Sequence, residues 1–346
     1  MKKILITGES GTIPMQMQHN AHLYGLEVVN SQLIENSLTQ HKKHQSFKVR
    51  KPELDFLDPK ALESIPWSSL DAVIHSGAFV GTDFCSSDPN AAIRTNVEGT
   101  HNIVQYCNKY NIPLVYLSTT AILDPSCYDI SKPMTENTPI NPQTLYGITK
   151  YAGELLVKNV CKTQRIVLRP VFGFGNYPDD LHSALTKLIY VMYKNFTQNT
   201  NHKLTILLDP NIPKSYTRVE NIATCILRFV QGNSYFCDYL KDWCPVCNIG
   251  ESYKISKNWY QMFAIIGHYF AQKGICKQMD FNKQVDEWII FDREKDYLHY
   301  HNIDDSKLAS VKQSFNEFHN YIPLDMGIEK TINSVIENIE MEPYWL

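Results

Sequence analysis

The sequence predicts an α/β protein built on a doubly wound parallel sheet, followed by a smaller C-terminal lobe. Short and continuously apolar segments recur through the first half of the chain, and amphipathic stretches of helical length separate them. A glycine pair follows the first apolar segment immediately. Continuous apolar runs are typical of parallel strands covered on both faces, and their alternation with helices indicates βαβ units.

The first half of the chain contains five predicted strands, and the second half is less regular. The strands are expected at 4–6, 28–29, 72–74, 114–117 and 166–168, with helices near 88–109 and 143–160. After about residue 170 we expect helices near 181–196, 219–231 and 256–272 and strands at 204–208 and 288–291. The polar segment 30–46 is expected to be an exposed excursion.

Composition and charge exclude several classes of protein. The 346 residues are 43% hydrophobic and 20% charged, which is typical of a packed globular core. The formal net charge of -3 gives no basic footprint for nucleic acid. The sequence contains no run of eighteen apolar residues, so no membrane span is predicted. The N-terminus turns polar after its sixth residue, whereas a signal peptide needs a longer apolar stretch. We therefore expect a cytoplasmic protein.

The nine cysteines do not form a recognisable framework. Their number is odd and their spacing irregular, unlike a disulfide scaffold. Cys244 and Cys247 form a CxxC pair with Cys237 shortly before it, but a zinc site would need further ligands at compatible spacing. We favour free thiols in and around a strand, and we predict no metal site.

Gly8 and Gly11 form a candidate phosphate-binding turn. They follow the first strand in the segment TGESGTIP. Glycine permits positive φ and close backbone approach, and the N-terminus of the next helix, at Thr12 and Ile13, favours a pyrophosphate. Pro14 occupies the third position of the expected glycine pattern, which normally serves helix packing. Because proline is tolerated in a first helical turn, the turn is expected to survive with a shifted helix.

The adenosine end of such a site is less defined. An NAD site usually offers an acidic residue after the second strand, where this chain has Asn30, Ser31 and Gln32. The choice between NAD and NADP therefore stays open. Asp55 and Phe56 are candidate adenine contacts, with ordinary core packing of Phe56 an equally supported alternative.

Tyr146 and Lys150 form the candidate catalytic pair. Their spacing of four places both side chains on one helix face. Tyrosine has an unperturbed pKa of about 10, and a nearby ammonium favours its phenolate, so Tyr146 can act as a general acid or base. The strand 114–117 ends in Ser118, Thr119 and Thr120, whose hydroxyls are expected at the carboxyl edge of the sheet.

Together these motifs resemble the extended short-chain dehydrogenase/reductase family, which includes nucleotide-sugar epimerases, dehydratases and reductases. The resemblance spans nearly the whole chain. It is carried by TGESGTIP, LDFLD, AVIHSGA, NVEGT, YLSTTA, YGITKYAGE, VLRP, RVENIA and DDSKL. It implies a Rossmann domain over residues 1–170, a substrate-binding lobe over 171–346, and NAD or NADP as cofactor.

The resemblance also implies roles for individual residues. Thr120 matches the family's catalytic hydroxyl, and Lys150 would hold the ribose hydroxyls of the cofactor as well as act in catalysis. Asn96 would support the crevice and contact the cofactor. The remaining implied contacts are with cofactor at Ala78, Pro170 and Val171 and with substrate at Phe172 and Lys214, although a surface lysine is the alternative for Lys214.

The reaction is narrowed but not fixed by sequence. Dehydratases of the family carry an Asp-Glu pair where this chain has Ala121 and Ile122, so water elimination is disfavoured. Epimerases and deoxysugar 4-ketoreductases both remain, the latter because of the STTAILD and TENTPINPQTLYGITK segments. A non-catalytic nucleotide-binding protein is the third alternative. Pairing of family members through two helices, matching 88–109 and 143–160, implies a homodimer.

Overall fold

The structure is a computed structural model, and its described residues form two compact units. The described residues are 1–29, 54–127, 129, 133–171, 173–176, 183–206, 210–232, 244–250, 256–277, 281, 288–291 and 322–340. The first unit comprises residues 1–124, 139–170 and 222–249, and the second comprises 125–138, 171–221 and 250–346. One change of unit coincides with the boundary expected at residue 170, but the units are not contiguous halves of the chain.

The first unit is built on a six-stranded parallel sheet. Its strands, in chain order, are β1 (Lys2–Thr7), β2 (Leu26–Val28), β3 (Ala72–His75), β4 (Leu114–Leu117) and β5 (Arg165–Pro170), with one further strand at Val246–Ile249. The spatial order is β2-β1-β3-β4-β5 followed by the Val246–Ile249 strand, and every pairing is parallel. The order reverses between β1 and β3, which is where a doubly wound sheet opens its binding crevice.

The second unit contributes two small two-stranded sheets. They pair β6 (Gly173–Phe174) with β8 (Thr217–Arg218), and β7 (Leu204–Ile206) with β10 (Ile289–Phe291). The Val246–Ile249 strand of the first unit is therefore β9 in chain order. The core of the second unit is aromatic-rich and includes Phe174, Trp259, Phe263 and Phe270.

The helices follow the apolar periodicity of the sequence. They are α1 (Thr12–Asn20), α2 (Pro59–Glu63), α3 (Thr82–Ser87), α4 (Pro89–Ile93), α5 (Gly99–Tyr110), α6 (Leu145–Asn159), α7 (Ala184–Gln198), α8 (Val219–Gln231), α9 (Trp259–Gln272) and α10 (Leu324–Glu337). A π-helical stretch, Arg94–Glu98, joins α4 to α5. In the described part of the chain, no helix combines the length and apolar character that a membrane crossing requires.

The doubly wound parallel sheet predicted from sequence is confirmed. All four residues of β3 and of β4 are buried, as continuous apolar runs in a covered sheet require. The sixth strand, β9, was expected only as a strand beside the CxxC cysteines and was not assigned to the sheet, because Asn248 interrupts the apolar run of its sequence Val-Cys-Asn-Ile. The expected excursion at 30–46 and the DDSKL segment lie outside the described residues.

Candidate active site

The glycine turn after β1 has the geometry of a phosphate-binding loop. Gly8 has φ +73°, a conformation that favours glycine, and its carbonyl accepts a hydrogen bond from the Gly11 amide at 3.0 Å. A Cβ on Gly8 would lie 2.5 Å from the Cα of Gly77, which follows β3. The turn therefore brings backbone against backbone at the point where the strand order reverses.

Pro14 fits the first turn of α1 without loss of a helical hydrogen bond. It is the third helical residue, and the first backbone bond of the helix runs from the Met15 amide to the Gly11 carbonyl at 2.9 Å. The missing N–H of Pro14 belongs to the helix-terminal amides that have no intrahelical partner. A Cβ on Gly11 would lie 3.3 Å from Pro14 Cδ, so proline and glycine are closely packed. The residues present fit a pyrophosphate over Gly8, Gly11, Thr12 and Ile13.

The candidate adenine contacts divide into a core residue and a partly exposed one. Phe56 is 8% exposed, and its ring packs edge-on against His75 with centroids 5.2 Å apart. A Cβ on Gly99 would lie 2.4 Å from the same ring. Phe56 is thus part of the core, which was the alternative left open by the sequence. Asp55 is partly exposed and accepts a hydrogen bond from the Leu57 amide at 2.9 Å.

Helix α6, which carries the candidate pair Tyr146 and Lys150, begins beside the carboxyl end of β4. The Thr144 hydroxyl caps it by accepting a hydrogen bond from the Gly147 amide at 3.0 Å. Lys150 is buried, and its Nζ lies 4.3 Å from the centroid of the Tyr116 ring on β4. Burial lowers the pKa of Lys150 to about 7, and the carboxylate of Glu154 acts in the opposite direction.

Tyr146 is a protonated phenol at neutral pH in this environment. Burial, with a smaller contribution from the neighbouring Cys85 thiol, raises its pKa to about 12, and a hydrogen bond with the Thr119 side chain acts to lower it. The pKa of Lys150 is about 7, so its amine gains or loses a proton near neutral pH. Helix α6 therefore carries a proton donor, Tyr146, and one turn later an amine whose charge changes easily. Such perturbed groups cluster at functional sites.

The hydroxyl next to Tyr146 is that of Thr119, whereas the sequence expectation was Thr120. Thr119 has extended backbone angles, so its side chain and that of Thr120 point to opposite sides of the chain. Thr120 is 2% exposed and starts a single turn of 3-10 helix, Thr120–Ile122. Thr119 is therefore a second candidate for the hydroxyl that acts with Tyr146. The residues after Thr119 are Thr120 and Ala121, so this register also lacks the dehydratase carboxylates.

Asn96 connects the loop after β3 to the catalytic helix. Its carboxamide oxygen accepts from the Phe79 amide at 2.7 Å, and its nitrogen donates to the Phe79 carbonyl at 3.0 Å and to the Thr149 hydroxyl at 2.9 Å. Both N–H groups are therefore used within the protein. This arrangement suits a residue that positions α6 and the crevice rather than one that donates to a cofactor.

His75 lies in a buried chain of hydrogen bonds behind the site. Its Nδ1 is 2.8 Å from the Thr7 hydroxyl, and its Nε2 is 3.0 Å from the Thr100 hydroxyl. Burial, together with the nearby Lys150, lowers the pKa of His75 to about 3. The imidazole is therefore neutral, and it ties β1 and β3 to α5.

The remaining predicted residues are placed as follows. Ala78 is partly exposed after β3, and Pro170 ends β5. In the second unit, Lys214 is 1% exposed and its backbone pairs with that of Lys257, so it is a buried rather than a surface lysine. Phe172 and Cys237 lie outside the described residues.

The CxxC cysteines are free thiols at β9. Cys244 precedes the strand and is buried, and Cys247 lies within it. Throughout the ranges that the structure describes, no three His, Cys, Asp or Glu side chains are grouped closely enough to hold a metal ion.

Sequence reasoning missed a buried ion pair behind Lys150. Glu154 follows Lys150 by one helical turn, and Arg169 on β5 donates to it from Nε at 3.1 Å and from Nη2 at 2.5 Å. Glu154 and Arg169 belong to the family motifs YGITKYAGE and VLRP. The spacing of four between Lys150 and Glu154 could have indicated that the two side chains share one face of the helix. Nothing in the sequence showed that β5 would bring Arg169 to the same place.

Comparison with known proteins identifies the family of this chain. A family model described as the RmlD substrate binding domain matches residues 1–234. A proposed UDP-glucose 4-epimerase of Methanocaldococcus jannaschii is 26% identical over 278 residues, covering 78% of this chain and 83% of the relative. A dTDP-4-dehydrorhamnose reductase of Streptomyces griseus is 31% identical over 123 residues, covering 35% of this chain and 40% of the relative.

Solved structures share the fold. The structure of RMD from Pseudomonas aeruginosa complexed with NADPH superimposes with a TM-score of 0.70 at 15% identity, covering 96% of this chain and 99% of the other. At this identity the likeness shows the fold alone. The family model spans more than half of the chain and includes both the glycine turn and the YGITK helix. The chain therefore belongs to the RmlD substrate binding domain family, within the extended short-chain dehydrogenases/reductases.

Proposed function

We propose that this protein is an NAD(P)-dependent oxidoreductase acting on a carbonyl or carbinol carbon of a nucleotide sugar. The observation that carries the proposal is the grouping of Tyr146, Thr119 and Lys150 on α6 and at the end of β4, in the unit that also holds the glycine turn. The family's relatives include a nucleotide-sugar reductase, which supports the substrate class.

The cofactor would lie along the carboxyl edge of the sheet. Gly8 and Gly11 would receive its pyrophosphate, with Ala78 and Pro170 at the ends of β3 and β5 as further contacts. When bound, the cofactor would supply a hydride in its reduced form, NAD(P)H, or accept one in its oxidised form, NAD(P)+. The structural neighbour RMD binds NADPH, and the choice between NAD and NADP in this chain depends on measurement.

The protein's own part in the reaction is to handle the proton. In reduction, Tyr146 gives its phenolic proton to the carbonyl oxygen as the hydride adds to carbon, which leaves an alcohol and a phenolate. The Thr119 hydroxyl can donate to the same oxygen or to the phenolate. A protonated Lys150 stabilises the phenolate until solvent restores the proton. Oxidation of a carbinol runs through the same groups in reverse.

The test is to follow product and cofactor together. We would incubate the protein with dTDP- and UDP-linked 4-keto and 4-hydroxy sugars and each of the four cofactor forms, and identify products by mass spectrometry and NMR. Consumption of one NAD(P)H per sugar alcohol formed assigns a reductase. Interconversion of 4-epimers without net cofactor consumption assigns an epimerase. Cofactor binding without turnover of any sugar would favour the non-catalytic alternative.

The exposed face of the catalytic helix supports a homodimer. Ile148 and Leu155 on α6 are 50% and 39% exposed, and Ile93 on α4 is 43% exposed. Exposed apolar side chains on neighbouring helices are typical of a protein interface. Light scattering after size exclusion should give twice the chain mass. Leu155→Asp should then give a folded monomer, and a wild-type monomer at micromolar concentration would contradict the dimer.

A further inference from the structure

The most deeply buried charges of the first unit stand directly behind Lys150. Glu154 has no exposed side-chain surface, and Arg169 is 1% exposed. The Arg169 guanidinium donates a hydrogen bond to each carboxylate oxygen of Glu154. The Nζ of Lys158 lies 3.7 Å from Glu154 Oε1, and a third of the Lys158 side chain is exposed. A bidentate bond of this kind fixes the carboxylate in position.

A contribution to folding stability does not by itself explain why Glu154 and Arg169 are buried as an ion pair. Taking two charges out of water costs about as much as their attraction returns, and apolar replacements of buried pairs are often neutral or stabilising. Nη1 of Arg169 has no hydrogen-bond partner among the described residues, so the arginine is not fully satisfied by the fold. What the pair does achieve is to hold an ionised carboxylate one turn from Lys150.

The other neighbours of Lys150 do not supply that negative charge. Burial acts against an ammonium at this position, and Glu154 is the group that raises the pKa of Lys150. The titratable and charged groups that face Lys150 or its immediate partners are Tyr146, Glu154 and Lys158 on α6, His75 on β3, Tyr116 on β4, Cys85 on α3 and Arg169 on β5. Arg94 and Glu98 pair with each other on the surface.

We propose that Glu154 and Arg169 are positioning residues that set the charge of Lys150, the carboxylate favouring the ammonium and the guanidinium limiting that effect. The part of this inference that concerns cofactor binding by Lys150 rests on the proposed function. The part that concerns the protonation of Lys150 does not. A purely structural role for Glu154 and Arg169 would not predict opposite shifts in the pKa of Lys150, whereas this proposal does. Removing the negative charge lowers the pKa of Lys150, whereas removing the positive charge raises it.

The protonation of Lys150 can be read from the protein without any cofactor. Its pKa of about 7 in the folded protein lies below the unfolded value of about 10.5. The folded state therefore binds fewer protons between these values, and stability rises as pH increases through this window. Urea unfolding from pH 5.5 to 10 locates the inflection, and Lys150→Met identifies which part of the curve belongs to Lys150.

The variants are Glu154→Gln, Arg169→Gln and the two combined. Glu154→Gln should move the inflection down by roughly one to two pH units, and Arg169→Gln should move it up, as expected for unit charges at short range in a partly screened interior. Should a single variant fail to fold, the double variant, which buries no unpaired charge, carries the test. It should shift the inflection downward, because Glu154, one helical turn from Lys150, is the charged group that raises the pKa of Lys150. Shifts in the same direction for both single variants, or an unmoved inflection in the double variant, would overturn the inference.

Fluorescence titration of NADH and NADPH over the same pH range separates this inference from the proposed function. Affinity should fall as Lys150 loses its proton, with a midpoint that follows the stability inflection in each variant. If the stability inflections move as predicted and neither cofactor binds, the proposed function fails and the inference stands. If the cofactor binds and no inflection moves, the inference fails and the proposed function stands.

Discussion

The glycine turn and the catalytic helix prepare the same crevice by opposite means. The turn works by the absence of side chains: Gly8 approaches Gly77 at a distance that a Cβ would not allow. The helix works by buried charge, with Lys150, Glu154 and Arg169 almost removed from solvent. The comparison teaches that a binding surface for an anion can be made of backbone alone, whereas control of a proton requires side chains whose pKa values depend on distant strands.

The largest effect should come from removing the transferable proton on the helix. Tyr146→Phe should lower kcat by about 100- to 10,000-fold, the usual range for a general acid or base, while the fold stays intact. Tyr151→Phe, on the same helix and partly exposed, is the matched control and should keep activity. If the folded Tyr146→Phe variant keeps most of its activity, Tyr146 is not the general acid or base of the reaction.

Added atoms in the turn should cost stability rather than chemistry. Gly8→Ala combines strain at φ +73° with a contact of 2.5 Å to Gly77 Cα. We expect about 2–5 kcal/mol from these two effects together. Gly25→Ala is the control, because Gly25 has φ +65° and open space where its Cβ would stand. It should cost about 1–2 kcal/mol, the strain alone. Equal losses in urea unfolding would show that the close approach to Gly77 does not matter.

A branched side chain at the second glycine should remove cofactor binding. Gly11 has φ -68°, so its requirement is space and not conformation. Gly11→Val places two methyl groups beside the candidate pyrophosphate position and against Pro14, and should weaken binding by about 100-fold, at the upper end of the cost of overpacking. Calorimetry with the tighter cofactor measures this loss. Binding as tight as in the wild type would place the phosphates elsewhere.

The smallest effect is expected at the proline. Pro14→Gly restores the family's glycine pattern, but Pro14 already occupies a helical position that needs no amide hydrogen bond. The dissociation constant should therefore change by less than about threefold, since the helix loses only some rigidity. A tenfold gain in affinity would mean that proline distorts the turn.

The turn was predictable from sequence because its function is local. Gly8 and Gly11 follow an apolar strand directly, and the meaning of a glycine at that place does not depend on other parts of the chain. The doubly wound sheet was predictable for a similar reason, since β1, β3 and β4 each contain a continuous apolar run. In β9 the apolar run is interrupted by Asn248, so its signal was weaker.

The helix was only half predictable. The spacing of Tyr146 and Lys150 identified the pair, but the partners that set their protonation come from β3, β4 and β5. Thr119 and Thr120 are chemically equivalent in sequence, and only the folded backbone shows that the Thr119 side chain bonds the phenol. Phe56 was ambiguous for the same reason, since burial is a property of the assembled core.

The central claim, that the turn and the helix together form a nicotinamide-cofactor site, is tested most directly by calorimetric titration of the wild-type protein with NADH and NADPH. We predict that one of the two binds at one molecule per chain and that Lys150→Ala weakens it while Lys162→Ala, a change at an exposed lysine, does not. Absence of binding by the wild-type protein to both cofactors at millimolar concentration would contradict the account.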